Sequence, residues 1–138
     1  MLHPGIFNAY KQLEEMGVII ADWGSMVFDI MNGAVVPEGA TVTYEKKSFV
    51  GRDGFHPNPL CGYLQSLMAY CVITGESAVG QQYKFMDTSF DVDGWIGMKG
   101  PSDTNLMSII KSEADMRGLQ TLIDQYIAAK PYRNAHAE

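Results

Sequence analysis

The run Val18-Ile19-Ile20-Ala21 constrains the fold more than any other stretch of the chain. It is short, continuously apolar and rich in β-branched residues, which predicts a strand buried on both faces, the kind found inside parallel sheets. Such a strand needs hydrogen-bonding neighbours, because buried backbone amides and carbonyls left unpaired are costly. Yet no second run of comparable strength exists, and Thr41-Val42-Thr43-Tyr44 reads as an edge strand or an extended loop. The chain is therefore expected to be part of an α/β domain whose other strands lie in sequence outside it. Helices dominate the visible part, residues 1–130 are expected to belong to one domain, and residues 131–138 read as a polar tail.

Around that run the apolar spacing is helical. Phe7, Tyr10, Leu13 and Met16 alternate with Lys11, Gln12, Glu14 and Glu15, predicting an amphipathic helix that Gly17 ends in the left-handed conformation. Residues 22–25 make a turn, residues 26–31 a second short helix, and residues 35–39 a loop punctuated by Pro37 and Gly39. Asn58 fits a helix N-cap with Pro59 at the first helical position, where its missing N–H costs nothing. Leu60, Tyr63, Leu64, Leu67, Met68 and Cys71 then form the expected buried stripe, and Gly75 closes the helix. Residues 81–100, with Phe85, Phe90 and Trp95, read as irregular. Residues 103–129 return to helical spacing through Ile110, Leu119, Leu122, Ile123 and Tyr126, with a kink expected near Gly118 and an end at Pro131.

Charge narrows the partners. Ten Lys and Arg stand against sixteen Asp and Glu, for a net −6 and no basic cluster, so nucleic acid and anionic membrane surfaces are not expected to bind. The apolar runs are too short to cross a bilayer, and the first residues lack the basic and apolar regions of a signal peptide, which favours the cytoplasm while leaving the compartment open. Cys61 and Cys71 lie ten residues apart on one helix, about 15 Å along its axis and beyond disulfide reach, so buried thiols are expected. The scattered His and Cys make no recognisable metal site, and Asp87, Asp91 and Asp93 lack the Gly and Glu of a calcium-binding loop.

Asp53 and His56 carry the chemistry. A tight turn across three residues lets a carboxylate hold one imidazole nitrogen and leaves the other free to take a proton from a nucleophile. Pro57 keeps His56 out of helical geometry, and the helix start just beyond it disfavours a charged ring. Ser25 follows the expected strand and precedes a helix, the position a nucleophile takes. However, Asp22-Trp23-Gly24-Ser25 is no nucleophile elbow, and Ser25 reads as an N-cap. Asp22 reads as a turn residue that could otherwise face a site at the strand's end.

The fuller string Asp53-Gly54-Phe55-His56-Pro57-Asn58, followed by Gly62-Tyr63-Leu64 on a helix ending at Thr74-Gly75, resembles the C-terminal block of the SGNH (GDSL-type) hydrolases. The likeness extends from about residue 5 to residue 85. It implies a flavodoxin-like three-layer α/β/α sandwich, hydrolysis of esters (often acetyl groups on carbohydrate) and no metal or organic cofactor. It also implies that Asp53 and His56 are two members of a Ser-His-Asp triad. The family's G-D-S nucleophile and its G-x-N-D oxyanion segment have no counterpart here. The expectation is thus a chain that supplies the Asp and His of a serine esterase acting on a small-molecule or carbohydrate ester, and that is inactive alone. The alternative is a non-catalytic α/β interaction or carbohydrate-binding module that self-associates through an uncovered sheet edge.

Overall fold

The structure, a computed structural model, describes residues 4–51, 53–83, 110 and 112–134. Within them the chain forms α1 (Pro4–Glu15), α2 (Trp23–Met31), α3 (Pro59–Thr74) and α4 (Glu113–Ala129), with short 3-10 helices at Lys46–Ser48 and Pro131–Arg133. None of these helices is long and apolar enough to cross a membrane.

The core lies where α2, α3 and α4 meet. Met26 and Ile30 of α2, Leu60, Leu64 and Met68 of α3, and Leu119 and Ile123 of α4 are buried in one cluster, which also takes in Phe49 and Ile110. Each fully buried side chain of this size contributes about 2 kcal/mol of hydrophobic transfer free energy. The α3 stripe falls where its spacing predicts, and both ends of the helix are set locally. Asn58 Oδ1 accepts the Cys61 amide at 3.0 Å, Pro59 occupies the first turn, and Gly75 takes the left-handed conformation at φ 76°. Both cysteines are buried and unbridged.

The α/β expectation is overturned. Among the described residues there is no strand and no sheet; the sole β feature is an isolated antiparallel bridge between Val50 and Pro57. The three-layer sandwich is therefore not what these residues form. The run at 18–21 is outside any helix, as its β-branched residues favour, but among the described residues no strand pairs with it, and Val18 and Ile19 are 45% and 61% exposed rather than buried on both faces. A β-branched run sets a backbone preference, whereas a strand also requires a neighbour's amides and carbonyls. The stretch at 41–44 is likewise loop. The irregular segment with Phe85, Phe90 and Trp95, the aspartates at 87, 91 and 93, and residues 103–109 and 111 of the expected last helix lie outside the described residues, while residues 110 and 112 are not helical and α4 starts only at Glu113, where the Ser112 side chain accepts the Asp115 amide.

Helix α1 stands apart from the main cluster. Its Tyr10 ring meets Tyr132 edge-on at 5.8 Å, and Tyr132 is buried although it lies in the stretch read as a polar tail. Pro131 does end α4, through Lys130 in the left-handed region at φ 45°, and the chain then turns back onto α1. Glu14 ties the two together: it accepts from Arg133 Nη2 at 2.6 Å, Arg133 Nε at 2.8 Å, the Tyr132 hydroxyl at 2.9 Å and Lys130 Nζ at 3.3 Å. Those donors, Arg133 foremost, lower the Glu14 pKa from 4.5 to about 2. A depressed carboxylate stabilises the folded state above its unfolded pKa, so this contribution is complete above about pH 4.5 and is lost as the pH falls toward 2. Thermal melts of Glu14→Gln should therefore lie below wild type at pH 7 and converge with it near pH 2. A constant offset across that range would count against the tether.

Gly118 lies inside α4, which runs through it without ending. Its role is close approach: a Cβ there would sit 2.4 Å from the Glu38 carbonyl oxygen and 3.1 Å from Pro37 Cβ. Gly118→Ala is expected to destabilise by about 1–3 kcal/mol through that overlap, against the gain of about 1 kcal/mol that Ala brings to an open helix position. Equilibrium denaturation checks the sign, and a net gain would mean that the 37–39 loop yields freely.

Candidate functional site

The loop between Phe49 and Asn58 is rooted at both ends. Phe49 is fully buried and its carbonyl accepts the Asn58 amide at 2.9 Å, while Asn58 Nδ2 donates to the Ser48 carbonyl at 2.8 Å. Gly51 donates to the His56 carbonyl at 2.8 Å and Gly54 to the Gly51 carbonyl at 2.9 Å, with Gly54 at φ 71°, a conformation that favours glycine. The turn between them is therefore pinned to the core by Phe49 and to the first turn of α3 by Asn58.

Within this turn Asp53 does two things at once. Its Oδ1 accepts the backbone amides of Phe55 at 2.9 Å and His56 at 3.0 Å, an Asx turn that shapes the bend. Its Oδ2 meets His56 Nδ1 at 2.5 Å. The contact with the His56 ring, aided by the two amides, lowers the Asp53 pKa to about 2, so the carboxylate is ionised throughout the neutral range. An anionic acceptor at Nδ1 selects the tautomer with its proton there and leaves Nε2 with a lone pair. No hydrogen bond to Nε2 forms among the described residues. The side chains are 40% exposed for His56 and 27% for Asp53, so the ring is open to an incoming group. The Phe55 ring, mostly exposed, packs edge-on to the imidazole at 5.0 Å.

Such a pair can take a proton from an alcohol and return it to a leaving group; it holds no nucleophile of its own. Ser25 does not fill that place. It lies inside α2 rather than capping it, is buried, and its Oγ forms no hydrogen bond among the described residues, with His56 or any other. The buried Ser48 hydroxyl accepts the Glu45 amide at 3.0 Å. Burial pushes the Cys61 thiol up to about 11 and raises Cys71 as well, so neither supplies a thiolate. Chain comparison with protein-family models, curated proteins and solved structures finds no match. No group of three or more His, Cys, Asp or Glu side chains placed to hold a metal ion forms among the described residues.

A second feature escaped the sequence reading. Asp22, not Ser25, caps α2: its Oδ1 accepts the Ser25 amide at 3.2 Å. The signal was available, since Asp immediately before an apolar helix is a favoured N-cap. Asp22 also lines a cavity of about 350 Å³, with neither Asp53 nor His56 on its wall.

Proposed function

We propose that this chain contributes the Asp–His half of a serine ester hydrolase, with His56 as the proton acceptor and donor and Asp53 as its orienting partner. The observation that carries the reading is the 2.5 Å contact from Asp53 Oδ2 to His56 Nδ1, on a pinned turn, with Nε2 open. The likeness of the 53–58 string to the SGNH block supports it, and so does the division of labour within Asp53. One oxygen builds the turn and the other aligns the ring, so backbone folding and imidazole alignment are achieved together. In an ester hydrolysis the attacking hydroxyl gives its proton to Nε2 as its oxygen bonds to the acyl carbon. The same proton passes to the departing alkoxide, and water repeats the cycle to release the acid. Asp53 remains ionised throughout and stabilises the imidazolium formed in between. Serine and oxyanion donors come from polypeptide other than the residues seen here.

The experiment compares two preparations on p-nitrophenyl acetate. The 138-residue chain by itself is expected to act no faster than an equal concentration of free imidazole. The assembly isolated through this chain from the cells that make it is expected to turn the ester over and to be silenced by a fluorophosphonate that labels a serine. An assembly with no esterase activity, or with activity indifferent to the fluorophosphonate, would overturn the reading.

A further inference from the structure

The cavity lined by Asp22 is also lined by Val18, Ile19 and Ile20 of the run at 18–21 and by Met68, Val72 and Ile127. Two sets of unpaired groups meet there, one open to water and one buried. The first is in the backbone. Among the described residues the amides of Ile19, Ile20 and Ala21 and the carbonyls of Val18, Ile19 and Ile20 make no hydrogen bonds, although Val18 N donates to Leu13 O and Ala21 O accepts from Trp23. The second is in a side chain. Asp22 is more than nine-tenths buried, and its Oδ2 has no hydrogen-bond partner among the described residues. Donors already on the cavity wall do not serve it. The Tyr126 hydroxyl goes to Asp29 at 2.5 Å, and Lys130 and Tyr132 both go to Glu14. A buried carboxylate oxygen left in that state calls for a donor from outside.

From this we infer that the run at 18–21 is a docking edge for an extended apolar strand of a separate polypeptide, which carries a cationic side chain to meet Asp22. A strand answers both: its backbone pairs with alternate residues of the run, its apolar side chains fill the cavity, and its cation reaches the orphan oxygen. A second copy of this chain fits less well. Symmetric antiparallel pairing about a two-fold at residue 19 or residue 20 sets Asp22 opposite Met16 or Val18, neither of which carries a side-chain donor. Each copy would also bring a net charge of −6. A small apolar molecule would fill the cavity but leave consecutive backbone groups unpaired. The inference does not depend on the esterase reading, since it uses neither Asp53 nor His56.

The test is peptide binding to the whole chain, followed by fluorescence anisotropy. The probe is a labelled hexapeptide, Thr-Val-Arg-Val-Thr-Val, capped at both ends. One control has alternate amides N-methylated, and another has norleucine in place of arginine. Saturable binding is expected, weakened about tenfold or more by N-methylation, which deletes two ladder bonds while keeping the side chains. On the protein side Ile19→Pro should weaken binding similarly without lowering the melting temperature, because Ile19 is exposed and its amide makes no hydrogen bond among the described residues. Asp22→Asn keeps the oxygen that caps α2 and should abolish the preference for arginine over norleucine. Backbone hydrogen exchange should slow at alternate residues of the run when peptide is bound. Should Ile19→Pro unfold the chain, the N-methylated peptide still decides the matter on wild-type protein. Equal affinity for the methylated peptide, no saturable binding at all, or a sedimenting dimer that blocks the peptide would each overturn the inference.

Discussion

Replacing Asp115 by alanine is expected to lower the unfolding free energy by about 3 kcal/mol, read as a lower denaturant midpoint at unchanged slope. Asp115 is fully buried in the first turn of α4. Its Oδ1 accepts the Thr41 amide at 2.6 Å, and its Oδ2 accepts the Thr41 hydroxyl at 2.7 Å and the Ser112 hydroxyl at 2.9 Å. One carboxylate thus latches a loop 74 residues upstream onto the start of a helix. Bonds to a charged acceptor are stronger than neutral ones, and alanine removes three of them together. Thr41 is exposed enough to regain water, which limits the loss. Asp115→Asn keeps one carbonyl oxygen but turns an NH2 toward a hydroxyl, so about half the loss is expected. The damage also bears on the candidate site. The latched loop leads to Tyr44, whose ring stacks on Phe49 at 5.7 Å, and Phe49 roots the turn that holds Asp53 and His56. A loss below about 1 kcal/mol for alanine would mean that the latch carries little of the fold.

What could be read from the sequence was local, and what could not was long-range. The ends of α3 follow from Asn58, Pro59 and Gly75 because caps and left-handed turns are decided within a few residues. Gly17 at φ 87° ends the first helix for the same reason. Asp53 and His56 were found because a three-residue spacing and one tight turn suffice to bring them together. Asp115 and Thr41 carry no mutual signal, and neither do Gly118 and the Glu38 carbonyl, since each pair meets only through tertiary packing. The run at 18–21 is the instructive failure. Its composition speaks against helix, and the run is indeed outside any helix, but burial and pairing depend on residues that a four-residue run cannot specify. The same gap between local preference and missing neighbours leaves Val18 and Ile19 exposed beside an unsatisfied carboxylate.

In the assembly proposed to hydrolyse esters, Asp53→Asn is expected to reduce kcat by about 10³–10⁴-fold with KM little changed. The substitution separates the two tasks of the carboxylate. An asparagine side-chain oxygen can still accept the amides of Phe55 and His56, so the bend is kept. It cannot stabilise an imidazolium. If its NH2 group faces Nδ1, the ring is driven to the tautomer with its proton on Nε2, where a lone pair is needed. Asp53→Ala removes the turn bonds as well, so it should lose stability in addition to rate, whereas Asp53→Asn should melt close to wild type. His56→Ala should fall at least as far in rate as Asp53→Asn, and the double variant should be no worse than His56→Ala alone, because an orienting partner has nothing left to orient once the ring is gone. The imidazole protons report the same relation without turnover: a far-downfield Nδ1 proton is expected in wild type and absent in Asp53→Asn. If Asp53→Asn retained more than about a tenth of wild-type kcat, the carboxylate would be a builder of the turn only, and the pair would not be a proton relay.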